Sequence, residues 1–312
     1  MSAALVADIG GTNVRFALLD HGAKVIRDLT SFPCANFASI TDAVEYYLQG
    51  QTIDRAAFAV AGPISGDDAH LTNSSWSFSI DAAKHRLALS RLVVVNDFAA
   101  TALAVPFLET NDLLPIGGDA VGRNSAPIGV IGPGTGLGVS ALIPLPNGGY
   151  MALEAEGGHV TMPAANDREA EVLAYLRQEH GHVSAERVVS GPGLVNVYRT
   201  LRQLSGRTLP DLSPDQIASL AITKECPVCT EALDLFFAML GTVAGNLALT
   251  VGAKGGVVLA GGILPRLQDA LITSRFRTQF EAKGRFHPWL SSIPTSLILH
   301  PDPAIIGLVG LV

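Results

Sequence analysis

LVADIGGTNVRFALLD, from Leu5 to Asp20, decides how the rest of the chain is read. An apolar run enters a Gly-Gly-Thr turn and another leaves it, so the segment predicts a β-hairpin whose tip can cradle an anion. Glycine reaches positive φ and lets backbone amides approach a charge, and Thr12 adds a hydroxyl donor. The plan recurs in IGVIGPGTGLGVSALIP, Ile128 to Pro144. Either turn alone reads equally well as a plain tight hairpin. The pair predicts one nucleotide held between two lobes, and hence phosphoryl transfer. Asp8 ends the first strand, where a carboxylate is costly unless partnered. The turn's own amides would serve as partner, and so would a magnesium ion shared with nucleotide phosphates.

Neither turn fits the common nucleotide patterns. There is no G-x-x-x-x-G-K-[ST], and Gly132, Gly134, Gly136 and Gly138 do not reproduce G-x-G-x-x-G. A Walker-type site and a Rossmann dinucleotide site are therefore disfavoured.

The chain has 312 residues, 48% hydrophobic and 16% charged, enough for a full core in two lobes. A net charge of −7 with no basic run argues against a nucleic-acid backbone or an anionic membrane as partner. A small molecule is the expected partner. Three cysteines, Cys34, Cys226 and Cys229, are too few and too unevenly placed for a disulfide framework, which favours a reducing cytoplasm. MSAALVADIGG lacks a basic n-region and meets Asp8 early, so no export signal is read there. Cys226 and Cys229 form a C-x-x-C, but no second pair of ligands lies nearby, and structural thiols at a helix start are the simpler reading.

Strands are predicted at Leu5–Ala7, Val14–Leu19, Ala56–Val60 and Leu92–Val95, with helices at Thr41–Leu48 and Phe98–Leu108. Asn166 and Glu169 spell a capping box for a helix through Leu176. Leu233, Phe236, Phe237, Leu240, Val243, Ala244 and Leu247 recur at helical period and predict one long buried helix. VVLAGGIL, Val257 to Leu264, reads as a buried strand that breaks on Gly261 and Gly262, with one further helix running toward Phe280. The apolar tail from Pro303 to Val312 is helix-compatible and is expected to return to the N-terminal lobe.

A second set of residues suits a polyol. LVVVNDF places Asn96 and Asp97 at the carboxyl end of a buried strand, where α/β proteins build sites. Asp97 can accept a hydroxyl proton while Asn96 binds a neighbouring hydroxyl. Alone, the pair reads better as a helix start. EAEGGHV adds Glu156 and His159, and HVSAERVVSGPGL adds Glu186 before another Gly-rich turn. Carboxylates, an imidazole and an amide are the groups that read vicinal hydroxyls. His159 also reads as a turn cap, and Glu186 as a first-turn helix carboxylate. Thr72, Asn73 and Ser74 in LTNSSW contribute further polar reach.

These segments together resemble the bacterial glucokinases of the hexokinase and actin-like ATPase superfamily. DIGGTN, GPISGD, TNSSWSFS, VNDFAA, GPGTGLG, EGGHV, GHVSAERVVSGPGL, GNLAL and GAKGGVVLAGGI carry the resemblance in order over nearly the whole chain. It implies a two-lobed α/β fold of actin-like, ribonuclease H-like type with a cleft between the lobes. The small lobe would be residues 1–109, joined by a C-terminal helix at 302–312, and the large lobe residues 110–301. It implies phosphorylation of glucose at its 6-hydroxyl by ATP with magnesium, through lobes that close on the substrates, in a cytoplasmic homodimer. Asn73, Asn96, Asp97, Glu156, His159 and Glu186 would contact the sugar, with Asp97 as catalytic base. Ala7, Asp8, Ile9, Gly10, Gly11, Thr12 and Asn13 would hold phosphates, with Asp8 toward magnesium, as would Gly132, Gly134, Thr135 and Gly136. Gly261 and Gly262 would lie near the nucleoside. The related family of repressors, open reading frames and kinases is the poorer match, because MPAANDREAEV after EGGHV lacks its zinc-binding cysteines. A kinase for another hexose and a sugar-sensing regulator stay open at this point.

Overall fold

The computed structural model describes residues 3–20, 25–72, 76–118 and 126–312. The chain divides into a first unit of Met1–Glu109, Tyr150–Glu154 and His300–Val312, and a second of Thr110–Gly149 and Ala155–Leu299.

In the first unit β1 (Ala3–Ile9) and β2 (Asn13–Leu19) form the predicted hairpin, with Asp8 opposite Arg15. β3 (Ile26–Pro33) pairs antiparallel with β2 at the sheet edge. On the other side β4 (Ile53–Val60) runs parallel to β1. A short ribbon follows, β5 (Ile64–Ser65), β6 (Asp68–His70) and β7 (Ser77–Ser79), and then β8 (Arg91–Asn96) runs parallel to β4. The main sheet is thus ordered β3-β2-β1-β4-β8. Both its faces are covered, which is why β1 reads as a continuous apolar run instead of alternating. Leu5, Ala7 and Ile9 join one core with Ile40 and Val44 of α1 (Ile40–Leu48). Ala4 and Val6 join another with Ala100 and Ile305.

After α2 (Ile80–Arg86), α3 (Asp97–Ala104) begins directly at the end of β8. Its predicted continuation to Leu108 is a 3-10 turn, Val105–Phe107, because Pro106 has no N–H to extend the helical ladder.

The second unit holds β9 (Leu113–Gly117), β10 (Ile128–Pro133) and β11 (Leu137–Pro144). Of β12 (Tyr150–Ala155), residues 150–154 fall in the first unit. β13 (Gly256–Leu259) and β14 (Thr295–Ile298) complete the second unit's strands, in the order β11-β10-β13-β14-β9. The β10–β11 pair is antiparallel while β10, β13 and β14 run parallel, the same wiring as β2, β1, β4 and β8. The echo seen between the two Gly-Thr turns therefore extends to four strands of each sheet.

Seven helices of this unit follow, α4 (Asp167–His180), α5 (Gly191–Leu204), α6 (Pro214–Ile222), α7 (Pro227–Val251), α8 (Gln268–Thr273), α9 (Phe276–Glu281) and α10 (His287–Ser291). By length and composition α7 is apolar enough to cross a membrane, yet Leu233, Phe236, Phe237, Leu240, Val243 and Ala244 are buried in the unit's main core. Cys226 caps it, its Sγ accepting from the Cys229 amide at 3.3 Å.

Three further details differ from the sequence reading. Asn166 caps α4 as expected, but Glu169 reaches back to the Ala165 amide at 2.7 Å instead of the cap's own N–H. The strand expected through Leu264 ends at Leu259, and Gly261 turns the chain at φ +85°. The single helix expected toward Phe280 is a 3-10 turn, Leu264–Leu267, followed by α8 and α9, separated where Ser274 is extended. The chain ends with α11 (Pro303–Leu308) in the first unit, against α3. Glycine is required there, since a Cβ on Gly307 would sit 1.8 Å from the Ala100 carbonyl oxygen.

Candidate active site

In the first unit, β1, β4 and β8 run parallel and deliver the candidate residues to one edge, their carboxyl ends. Open α/β sheets bind ligands at that edge. The β1 end carries Asp8 and the Gly10–Thr12 turn; the β8 end carries Asn96 and Asp97. Two strand spacings, about 10 Å, separate them.

The turn closes through the Gly10 N–H to the Asn13 carbonyl at 2.9 Å. Cys34 braces it twice, its N–H donating to the Thr12 carbonyl at 2.8 Å and its thiol to the Gly10 carbonyl at 3.4 Å. Ala7 and Ile9 are buried and anchor the strand, so their part toward a phosphate is limited to the backbone. Asn13, exposed, opens β2.

Asp8 is largely buried, and burial pushes its carboxyl above the usual carboxylate range against the opposing pull of Arg15. The guanidinium lies 3.1 Å from Asp8 and 3.4 Å from Asp302. A mostly buried carboxylate beside a turn suited to an anion fits a residue that would hold magnesium shared with nucleotide phosphates. Among the described residues no group of three or more ligating side chains forms a self-sufficient metal site.

Asn96 is the N-cap of α3, its Oδ1 accepting from the Phe98 and Ala99 amides at 2.9 and 3.3 Å. The helix-start reading thus holds for its oxygen, and Nδ2 is the group it can offer a hydroxyl. Asp97, the first residue of α3, has Oδ1 fixed by the Phe98 N–H at 2.9 Å. It stands at the positive end of the helix, which favours negative charge. The Glu154 carboxylate accepts from the Asn96 amide at 3.3 Å.

In the second unit the other turn closes through the Gly134 N–H to the Gly136 carbonyl at 2.8 Å, and the Gly191 N–H ties it to the start of α5 at 2.9 Å. Gly132 lies in β10, where a Cβ would come within 2.5 Å of Ala260. Glu156 precedes a 3-10 turn, Gly157–His159, that His159 ends; their side chains are 67% and 61% exposed, with His159 Nε2 3.8 Å from Glu156. Glu186 joins them, its N–H donating to the Gly158 carbonyl at 2.9 Å. Its Oε2 accepts from Leu137 at 2.9 Å, so Glu186 links the EGGH segment to the second Gly-Thr turn. Asn73 lies outside the described residues.

A cavity of about 820 Å³ opens beside this turn, within the second unit. Gly134, Thr135, Gly191 and Gly262 line one part, and Pro214, Ala218, Ile222 and Ile263 supply an apolar wall. Arg266 and Asp215, paired at 3.3 Å, stand at its rim. Such a volume takes a nucleotide-sized ligand. A flat heteroaromatic suits the apolar wall, and a phosphate suits the turn. Gly261 turns the chain before Gly262 reaches the lining. The α6 wall and Arg266 went unread in the sequence. Ser213-Pro-Asp-Gln216 is a legible capping box, but spacing alone does not say that its helix faces a cavity.

A family model described as Glucokinase matches residues 5–312. A glucokinase of Paramagnetospirillum magneticum is 52% identical, covering 99% of this chain and 97% of its own. One of Nitrobacter hamburgensis is 49% identical, covering 98% and 96%. Among solved structures, a glucokinase from an Antarctic psychrotroph superposes with a TM-score of 0.89 at 41% identity, covering 100% of this chain and 98% of its own.

Proposed function

This chain belongs to the glucokinase family, and we infer from its site geometry which residues run the reaction. It transfers a phosphoryl group from ATP to the 6-hydroxyl of glucose, giving ADP and glucose 6-phosphate. Its mixed α/β sheets fit the two-lobed sugar-kinase fold. We assign both sheets to the actin-like, ribonuclease H-like type, on the strength of their shared antiparallel-then-parallel wiring.

The observation that carries the assignment of roles is the cavity walled by Thr135 and Gly262. Its apolar side receives adenosine, and the two Gly-Thr turns receive phosphates through backbone N–H groups and the Thr12 and Thr135 hydroxyls. Asp8 would anchor magnesium, which when bound neutralises charge on the transferring phosphates. Asn96, Asp97, Glu156, His159 and Glu186, with Asn73, bind the sugar hydroxyls. Asp97 orients the 6-hydroxyl and accepts its proton late, as the oxygen bonds to phosphorus. The Phe98 amide holds that carboxylate in place for the transfer. We further propose a cytoplasmic homodimer.

Ala218→Phe tests the cavity. Ala218 lies on α6 at the cavity wall, and a phenyl ring there occupies the space given to adenine. KM for ATP rises by about tenfold or more, KM for glucose changes little, and an unshifted KM for ATP rejects the placement.

A further inference from the structure

Asp302 stands where it would cap α11, yet its side chain accepts no hydrogen bond from that helix. The carboxylate instead faces Arg15, Oδ1 lying 3.4 Å from Nε. Arg15 spans the gap to Asp8, its Nη1 lying 3.1 Å from Oδ2. Both carboxylates are mostly shielded, with side-chain exposures of 15% and 19%. A cap residue that forgoes its own helix to hold a distant arginine gives up local stabilisation, and the use it is put to lies beside the first Gly-Thr turn.

Two further contacts extend the connection. Gly307 brings α11 so close to α3 that no side chain fits between it and Ala100. Ala304, Ile305 and Leu308 pack in one core with Val6 of β1 and Ala100 of α3. The same short helix therefore grips the helix that begins with Asp97 and, through Asp302 and Arg15, the strand end that carries Asp8.

We propose that Asp302 is a positioning residue for phosphoryl transfer, holding Arg15 so that Asp8 and the first Gly-Thr turn keep a fixed place relative to α3. This rests on the assignment of Asp8 to the nucleotide phosphates and their metal. Asp302 itself touches neither substrate, and its effect is felt on the nucleotide side alone.

Serine caps a helix as well as aspartate does but cannot pair with arginine. A residue needed only for α11 is replaced by Ser without loss; a positioning residue is not. We therefore expect Asp302→Ser and Asp302→Asn to weaken binding of a non-hydrolysable MgATP analogue, measured by calorimetry, by about fivefold. The Mn²⁺ affinity of the enzyme–ADP complex, followed by electron paramagnetic resonance, falls in parallel. Glucose binding and the melting temperature of Asp302→Ser stay near wild type. Because Asp302 acts through Arg15, adding Asp302→Ser to Arg15→Gln produces no further loss. Wild-type nucleotide and Mn²⁺ affinities in Asp302→Ser overturn the proposal, and so does a full additional loss in the double variant. Asp8→Asn separates the two layers. If it too binds nucleotide and Mn²⁺ normally, the assignment of Asp8 falls; if it is impaired while Asp302→Ser is not, the inference alone falls.

Discussion

Gly136→Ala puts the link between the second Gly-Thr turn and Glu186 under strain. An ideal Cβ at Gly136 lies 2.5 Å from Glu186 Oε2, against 3.4 Å for the onset of ordinary contact. The nearest obstacle is the end of a flexible side chain, so the carboxylate moves by about 1 Å and the backbone keeps its course. That movement breaks the 2.9 Å hydrogen bond from the Leu137 amide, in a residue only 5% exposed. An amide left without its acceptor costs about 1–3 kcal/mol. Urea denaturation reads this loss directly, and if Glu186 binds the sugar as proposed, KM for glucose rises by about tenfold. The decisive comparison uses Glu186→Ala, which removes the obstacle. On that background Gly136→Ala adds under about 0.5 kcal/mol, a coupling measured by the double-mutant cycle. An equal loss with and without Glu186 would mean that the new methyl does not act through this carboxylate.

Gly261→Ala combines a strained φ of +85° with a Cβ 2.4 Å from the Pro133 carbonyl oxygen. It destabilises by about 1–3 kcal/mol in urea and raises KM for ATP more than KM for glucose. Lys283 is half-buried, its ammonium donating to the Thr242 carbonyl at 3.1 Å and to Asn246 Oδ1 at 2.8 Å, and burial pulls its pKa below the ordinary lysine value. The unfolded chain then binds more protons between the folded and unfolded pKa values, so this residue's contribution to stability increases with pH across that window. Melting curves should show wild type gaining on Lys283→Met as pH rises toward the ordinary lysine range, and a constant gap contradicts the assignment.

The local geometry of the first unit's candidate residues was legible because they are consecutive. Asp8 through Asn13 and Asn96–Asp97 each carry a backbone reason for their identity, a turn needing close approach or a helix needing a cap, and both sit where an apolar run stops. α7 was legible for a similar reason, since apolar residues recur at helical period from Leu233 to Leu247 within a 25-residue helix. The cavity of the second unit was not. Its wall is assembled from the turn at Gly134, the start of α5, one face of α6 and the chain after Gly262, four segments that meet only in the folded unit. Nor does spacing show that Glu186 reaches Leu137, 49 positions away. The break between α8 and α9 falls at Ser274, which carries no Pro or Gly signal. Arg15 lay in plain sight, since the hairpin register sets it opposite Asp8, but its partner Asp302 is contributed by the far end of the chain.

Asp97→Ala, assayed by single turnover at saturating glucose and MgATP, shows whether this carboxylate receives the 6-hydroxyl proton. General-base catalysis predicts a rate lowered by about 10²–10⁴-fold, with MgATP affinity unchanged and glucose affinity altered only slightly. Turnover near the wild-type rate would contradict the claim that Asp97 receives the proton.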